Sequence, residues 1–146
     1  MTCNLFQFTQ RRLLLAPCLL LAIMTGGCKQ SENASNEILI GHFGSMTGSE
    51  ATFGQSTDNG IKLAVDEINE AGGIKGKKIR LITYDDKGDA REVGTAVTRL
   101  TTNDGVVAVL GEVASKLSLA GAPVCQDAGI PMISPSSTNP QVTEIG

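Results

Sequence analysis

The chain has 146 residues, of which 41% are hydrophobic and 18% are charged, and its formal net charge is −3. This length and composition predict a globular chain with one core and exclude a disordered one. Basic residues cluster only between Lys75 and Arg80, where no aromatic side chains are interleaved, so we do not expect nucleic acid as a partner.

The beginning of the chain has the pattern of an export signal. Arg11 and Arg12 form a positively charged region, and an apolar stretch follows from Leu13 to Met24. Small residues at Thr25 to Gly27 then precede Cys28. As a helix, the apolar stretch would span roughly 18 Å at ~1.5 Å per residue, which is short of a bilayer's hydrocarbon core. We therefore predict a cleaved signal peptide rather than a spanning anchor.

The position of Cys28 after small residues resembles a bacterial lipobox, where the cysteine thiol receives a diacylglycerol unit and the chain is cut on its amino side. We predict that residues 1–27 are a lipoprotein signal peptide and that Cys28 is the lipid attachment site. Residues 28–36 lack large apolar side chains and are expected to form a flexible tether. The protein would then be exported, periplasmic and held at a membrane by acyl chains. The alternative is a plain secretory signal.

From residue 37 onward, short apolar runs alternate with segments in which apolar residues recur every three or four positions. The runs predict strands at Glu37–Phe43, Lys78–Tyr84, Val106–Leu110 and Pro131–Ile133. The periodic segments predict one helix between each pair of successive strands. The first helix ends at Gly72-Gly73, and the second begins at a capping box formed by Asp89 and Glu92. The third runs from Ser115 to Ala128, where Pro123 should bend or shorten it.

This alternation predicts an α/β fold: a doubly wound parallel sheet with helices on both faces and right-handed crossovers. The sequence does not show the strand order. The doubly wound order 2-1-3-4 would place the turns after the first and third strands on the two sides of the switch point, so that Ser45 and Ser115 would face one crevice.

Two turns rich in hydroxyl groups follow predicted strands. Gly111 to Ser115 follows the third strand, and Ser134 to Pro140 follows the fourth. Because the carboxyl ends of parallel strands face the ligand crevice, hydroxyls and free backbone N–H groups there predict a cradle for a polar small molecule.

Motifs of catalysis are absent from the sequence. There is no G-x-S-x-G around Ser115, no S-x-x-K, no G-x-G-x-x-G after the first strand and no phosphate-binding loop with lysine. We therefore predict a binding protein rather than an enzyme, with no metal and no cofactor.

Three further features have mainly structural interpretations. Asp85 and Asp86 end a strand before a capped helix, where carboxylates more often hold a turn than bind a metal. His42, within the first strand, is expected to be a packed or exposed residue rather than a catalyst. Cys125 has no cysteine left to pair with, because Cys3 and Cys18 leave with the signal and Cys28 is acylated. It falls in a helical pattern without a nearby His or Lys, so we expect a small buried apolar residue rather than a reactive thiol.

An ordered set of motifs resembles one protein family. The motifs are GSMTG at Gly44–Gly48, FG at Phe53-Gly54, INEAGGIKG at Ile68–Gly76, YDD at Tyr84–Asp86 and GIPMISPSSTNP at Gly129–Pro140. They resemble the branched-chain amino acid binding proteins of bacterial ABC importers. The resemblance implies a type I periplasmic binding fold, in which an amino acid is trapped between two α/β lobes and delivered to a membrane permease.

The resemblance also implies the roles of four residues. The Ser115 hydroxyl would meet the ligand's α-carboxylate, and the Ser136 backbone carbonyl would meet the α-ammonium. Thr138 would contribute its hydroxyl and backbone N–H, and Phe53 would be an aromatic beside the ligand. A serine at a helix N-terminus suits a carboxylate, since free N–H groups and the helix dipole favour negative charge there. The alternatives are an N-cap at Ser115, a turn at Thr138 and a core position for Phe53.

Members of that family are considerably longer than this chain. The resemblance therefore implies a fragment in which residues 37–146 form part of the N-terminal lobe and bind ligand weakly without the second lobe. Two other functions stay open. One is an extracellular ligand-sensing domain of a receptor, and the other is a relative that binds an amide or urea.

Overall fold

The computed structural model describes residues 36–145. The predicted signal peptide, the lipid attachment site Cys28 and nearly all of the tether therefore lie outside the described residues. None of the helices within 36–145 is long and apolar enough to cross a membrane.

Strands and helices alternate along the described chain as predicted. The strands are β1 (Glu37–Gly44), β2 (Lys78–Asp85), β3 (Ala108–Leu110) and β4 (Met132–Ile133), and the helices are α1 (Ala51–Glu70), α2 (Ala90–Thr98) and α3 (Ser115–Ala128). A π-helical turn, Arg99–Asn103, extends α2, and a short 3-10 helix, Pro140–Thr143, follows β4. The strand predicted from Val106 is shorter than expected, because pairing in the sheet begins only at Ala108.

The four strands form one parallel sheet in the order β2-β1-β3-β4. The predicted doubly wound α/β fold is thus confirmed, and the structure supplies the strand order, which the sequence did not show. In the centre of the sheet, Ile40 of β1 lies opposite Leu81 of β2 and Ala108 of β3.

One local prediction is confirmed and another needs correction. Helix α3 has the predicted bounds, Ser115–Ala128, so Pro123 inside it does not shorten it, and the helix ends at Gly129 with a left-handed φ of 67°. At the start of α2, Asp89 is the N-cap and accepts a hydrogen bond from the backbone N–H of Arg91. Glu92 does not complete a capping box, because the N–H of Asp89 is already donated to the Asp86 carbonyl.

The core lies between one face of the sheet and the helices α2 and α3. Its largest buried side chains are Phe43, Val93, Val97, Leu100, Val109 and Leu117. A glycine at position 121 lets α3 approach the sheet, because an added Cβ would lie 2.8 Å from Cζ of Phe43. Cys125 is buried here as predicted, and burial raises the pKa of its thiol to about 11, so the thiol stays neutral.

Helix α1 covers the opposite face of the sheet. Ile40 faces Ile61 and Ala64 of α1, whereas Phe43 points to α3, so the two faces of β1 pack against different helices. His42 is fully buried, with Nδ1 3.0 Å from the Leu110 carbonyl oxygen. Burial lowers its pKa, which keeps the ring neutral and agrees with the packed role predicted for it.

The first turn of α1 packs directly on the turn after β1. A Cβ added to Gly54 would lie 2.1 Å from the carbonyl oxygen of Ser45. Only glycine permits this approach, which fixes the start of α1 against the end of β1.

Replacing Gly54 with alanine should therefore destabilise the full chain by about 1–3 kcal/mol, because helix and turn must move apart. Gly60→Ala in the same helix is the matched control. Nothing lies within 4 Å of a Cβ at Gly60, so that variant should gain about 0.5–1 kcal/mol from helix propensity. Urea denaturation of the full chain measures both changes, and a Gly54→Ala variant as stable as the parent would contradict the close packing.

Candidate binding site at the strand ends

The carboxyl ends of β1, β3 and β4 open onto one edge of the sheet. β1 and β3 are neighbours, and the helices that follow them lie on opposite faces, so the turns after these strands form a crevice at the switch point. The turn after β4, residues 134–139, adjoins it through hydrogen bonds to the turn after β3.

Ser115 is the first residue of α3 and ties the two turns together. Its hydroxyl oxygen accepts hydrogen bonds from the backbone N–H groups of Thr138 (3.1 Å) and Asn139 (3.2 Å). The N-cap position belongs to Ala114, and no side chain caps the helix, so the alternative of a simple N-cap at Ser115 is wrong. The hydroxyl hydrogen of Ser115 remains available to an acceptor.

The other predicted site residues differ in what they offer. Ser136 is exposed and donates its hydroxyl to the Val113 carbonyl at 3.2 Å. Thr138 is also exposed, but its backbone N–H is donated to Ser115, so its hydroxyl is the group that remains open. Phe53 lies in the first turn of α1 and is 65% exposed, so the alternative of a core position is wrong. The structure thus brings Ser115 and Thr138 together directly, and Phe53 makes no hydrogen-bonded link to them.

The backbone at the start of α3 also offers donors. Leu117 and Ser118 donate their N–H groups to the Ala114 carbonyl. The N–H groups of Ser115 and Lys116 have no hydrogen-bond partner among residues 36–145. Free donors at a helix N-terminus attract a negatively charged group.

Glu112 is a buried residue of the site that the sequence analysis missed. Only 1% of it is exposed, and its carboxylate accepts three hydrogen bonds. Oε1 accepts from the backbone N–H (3.1 Å) and the hydroxyl (2.9 Å) of Ser45, and Oε2 accepts from the N–H of Ala114 at 2.5 Å. A glutamate between Gly111 and Val113, directly after a buried strand, was the available signal.

The backbone carbonyl of Glu112 is a second meeting point. It accepts hydrogen bonds from the hydroxyls of Ser118 (2.9 Å), Ser134 (2.7 Å) and Ser137 (3.4 Å). The N–H of Ser137 in turn donates to the Ser134 hydroxyl at 3.0 Å. One peptide therefore joins α3 to the turn after β4.

The two aspartates after β2 hold neighbouring turns, which is the structural role predicted for them. Asp85 accepts from the N–H of Met46 and the hydroxyl of Thr47. Burial opposes ionisation of Asp85, but these hydrogen bonds and one from Lys87 lower its pKa overall. Within residues 36–145, no three His, Cys, Asp or Glu side chains are grouped as a metal site would require.

Asp86 is fully buried beside Ser45. Its Oδ1 lies 2.8 Å from the Ser45 hydroxyl and accepts from the N–H of Gly88, whereas Oδ2 has no hydrogen-bond partner in the described part of the chain. Burial, with a smaller effect of the charges on Glu112 and Asp85, raises the pKa of Asp86.

An ion pair spans the crevice between α1 and α3. Lys116 Nζ lies 3.0 Å from the carboxylate of Glu50, the residue before α1. The Lys116 side chain is 64% exposed, so water screens the pair and its contribution to stability is small. The pair links the residue before α1 to the first turn of α3.

Comparison with known proteins finds relatives of this chain. Residues 37–144 match the family model described as Periplasmic binding protein. An amino acid binding protein of Pseudomonas aeruginosa is 40% identical over 116 residues, which cover 80% of this chain and 31% of that protein.

Solved structures share the fold as well. One is the branched-chain amino acid transporter substrate binding protein of Streptococcus pneumoniae, solved in complex with isoleucine. It matches with a TM-score of 0.72 and 40% sequence identity, and the match covers 74% of this chain and 31% of that protein's chain. Another is a solute binding protein of an ABC transporter from Rhodopseudomonas palustris, solved in complex with 3,4-dihydroxybenzoic acid. It matches with a TM-score of 0.70 and 29% sequence identity, and the match covers 76% of this chain and 30% of that protein's chain. This chain spans about a third of the length of these relatives.

The raised pKa of Asp86 predicts how stability depends on pH. A carboxyl with a higher pKa in the folded state stabilises the fold fully below the unfolded value of about 3.9, and this contribution is lost as pH rises through the folded pKa. Asp86→Asn cannot ionise, so its free energy of unfolding should fall less than that of the parent chain over this range.

Urea denaturation at a series of pH values tests this expectation. Asp127→Asn, at an exposed position of α3, is the matched control and should follow the parent chain. If Asp86→Asn and the parent lost stability in parallel, the carboxyl of Asp86 would not be the titrating group.

Proposed function

Because the chain belongs to the periplasmic binding protein family, we propose that it is the part of an ABC importer's substrate-binding protein that grips the charged head of an amino acid. Ser115, Ser136, Thr138 and Phe53 are its proposed ligand contacts. The chemistry is reversible binding without catalysis. The observation that carries the proposal is the Ser115 hydroxyl, which lies at a helix N-terminus beside N–H groups that have no partner among residues 36–145.

A carboxylate fits this end of α3. The Ser115 hydroxyl retains its hydrogen, the N–H groups of Ser115 and Lys116 are unpaired among the described residues, and the helix dipole adds positive potential. The S. pneumoniae relative is in complex with isoleucine, and the R. palustris relative is in complex with 3,4-dihydroxybenzoic acid. Both ligands carry a carboxyl group, which supports recognition of that group here.

The turn after β4 offers groups for the α-ammonium. The carbonyl of Ser136, on an exposed residue, is an acceptor, and the Thr138 hydroxyl is a second. Phe53 presents an exposed ring on α1 that can cover the apolar side chain of a ligand. Branched-chain amino acids combine these three features.

The described residues supply one wall of such a site. Two or three charge-assisted hydrogen bonds contribute about 1.5–3 kcal/mol each before desolvation, against an association cost of at least ~4 kcal/mol. We expect a dissociation constant on the order of millimolar for the 146-residue chain. Facing residues of a second lobe would raise the affinity by excluding water from the charged head.

Titration of the isotopically labelled full chain with isoleucine, followed by amide NMR shifts, tests the proposal. We expect saturable shifts at Ser115, Lys116 and Thr138, and their loss in Ser115→Ala, which lacks the hydroxyl. Ser56→Ala is the matched control, because its hydroxyl bonds only to the Thr52 carbonyl within α1.

Titrations with two further ligands show which groups of an amino acid are recognised. 3,4-Dihydroxybenzoate should shift the α3 amides if a carboxylate alone suffices, and should leave the Ser136 region unchanged because it lacks an ammonium. Shifts with a sugar and none with any α-amino acid would overturn the assignment of Ser115 and Thr138.

We also propose export, with residues 1–27 as a lipoprotein signal peptide, Cys28 as the acylated residue and residues 28–36 as the tether of the partial lobe formed by 37–146. A membrane surface would place the bound amino acid near the permease that receives it. The supporting observation is the sequence pattern of an apolar stretch, small residues and cysteine.

Palmitate labelling in a bacterial host tests the anchor. The parent chain should incorporate label and Cys28→Ser should not, because the thiol is the acylated group. Cys18→Ser keeps Cys28 and should label like the parent. Label that persists in Cys28→Ser would exclude the lipid anchor.

A further inference from the structure

The turns after β1, β2 and β3 meet in a buried polar cluster formed by Ser45, Asp86 and Glu112. Ser45 and Asp86 have no exposed surface, and Glu112 is 1% exposed. Each residue follows a different strand, so the cluster joins three neighbouring strand ends below the crevice. None of the three is among the proposed ligand contacts.

The hydrogens of the cluster can be counted. The Ser45 hydroxyl has one hydrogen but lies 2.9 Å from Glu112 Oε1 and 2.8 Å from Asp86 Oδ1. Glu112 also accepts hydrogen bonds from the backbone N–H groups of Ser45 and Ala114. A single hydroxyl hydrogen can serve only one of these two carboxyl oxygens fully, so a proton on Asp86 would allow both short contacts to be hydrogen bonds.

The burial of Asp86 supports this arrangement of protons. Desolvation, with the charges of Glu112 and Asp85, raises the pKa of Asp86 and favours its neutral form. His42 of β1 is the other titratable group that faces Glu112. It is neutral because of its own burial and does not supply a compensating charge.

Glu112 is connected to the proposed ligand contacts in two ways. Its carboxylate holds the N–H of Ala114, the residue immediately before Ser115. Its carbonyl holds the hydroxyls of Ser118 and Ser134, which lie in α3 and in the turn after β4. A shift of Glu112 would therefore displace both sides of the contact between Ser115 and Thr138.

We propose that Glu112 is a positioning residue for amino acid binding, whose buried carboxylate holds the turns after β1, β3 and β4 in the arrangement that directs Ser115 and Thr138 at the ligand. This role rests on the proposed function and deepens it, because Glu112 itself does not touch the amino acid. Asp86 is its partner in the cluster, because both carboxyl groups contact the Ser45 hydroxyl.

The first test needs no ligand. In Glu112→Gln, an amide replaces the carboxylate, so its NH₂ group must face either Ser45 or Ala114 donor to donor. Hydrogen exchange at the amides of Thr138 and Asn139, which donate to Ser115, should accelerate about tenfold as the turns loosen. Exchange within β2 should stay at the parent rate. Glu70→Gln, an exposed glutamate of α1, is the matched control.

The second test measures binding of isoleucine to the full chain by NMR titration. Glu112→Gln should weaken the dissociation constant about tenfold, whereas Glu70→Gln should not change it. Where Glu112→Gln fails to fold, Ser45→Ala replaces it, since it removes the bridging hydroxyl and keeps both carboxyls. Ser45→Ala should also weaken isoleucine binding.

The third test separates positioning from a purely structural role by its pH dependence. The titration stays between the pKa values of the isoleucine carboxyl and ammonium groups, so that the ligand keeps its zwitterionic form. As pH rises through the raised pKa of Asp86, a second negative charge appears beside Glu112, so binding to the parent chain should weaken. Asp86→Asn should show a dissociation constant that does not vary with pH.

The outcomes distinguish the two proposals. If the parent chain binds no amino acid, the proposed function fails, and the positioning role fails with it. If the parent binds isoleucine but Glu112→Gln binds equally well, with unchanged exchange at Thr138 and Asn139, only the positioning role is overturned. Weaker binding with faster exchange, and a pH dependence absent from Asp86→Asn, supports it.

Discussion

The parallel pairing of β1 with both β2 and β3 is the constraint on which the candidate site depends. It brings the ends of three strands to one edge of the sheet, although the residues that follow them are far apart in sequence. Ser45 bonds to Glu112 across 67 positions and to Asp86 across 41. The polar cluster is therefore a product of topology, and no local stretch of the chain would form it alone.

Because the polar cluster is buried, its carboxyl groups need hydrogen-bond donors from the protein. A charged carboxylate inside a protein is unfavourable unless donors surround it, and Glu112 meets this condition with backbone and hydroxyl groups rather than with a cation. The neighbouring Lys116 is paired with Glu50 at the surface. The site thus combines a buried, hydrogen-bonded Glu112 below the crevice with N–H groups at the start of α3 that have no partner among residues 36–145. The carboxylate of the proposed ligand would meet these N–H groups rather than Glu112.

Much of the fold followed from the sequence because its signals are local. Apolar runs, the glycines after α1 and the N-cap Asp89 each act within a few residues, so the order of the elements was predictable. The bond from Thr138 to Ser115 and the burial of Glu112 depend on contacts between turns, which no periodicity encodes. The family resemblance named Ser115 and Thr138, yet it gave no indication that they hold each other.

That mutual contact has a consequence for the entropy of recognition. A serine hydroxyl normally rotates among several orientations, and a ligand that binds it loses free energy by fixing one of them. Both acceptor directions of Ser115 Oγ are filled by incoming amides, so its O–H vector has one tetrahedral direction left. Because this orientation is set when the chain folds, the proposed ligand would meet a donor that is already oriented.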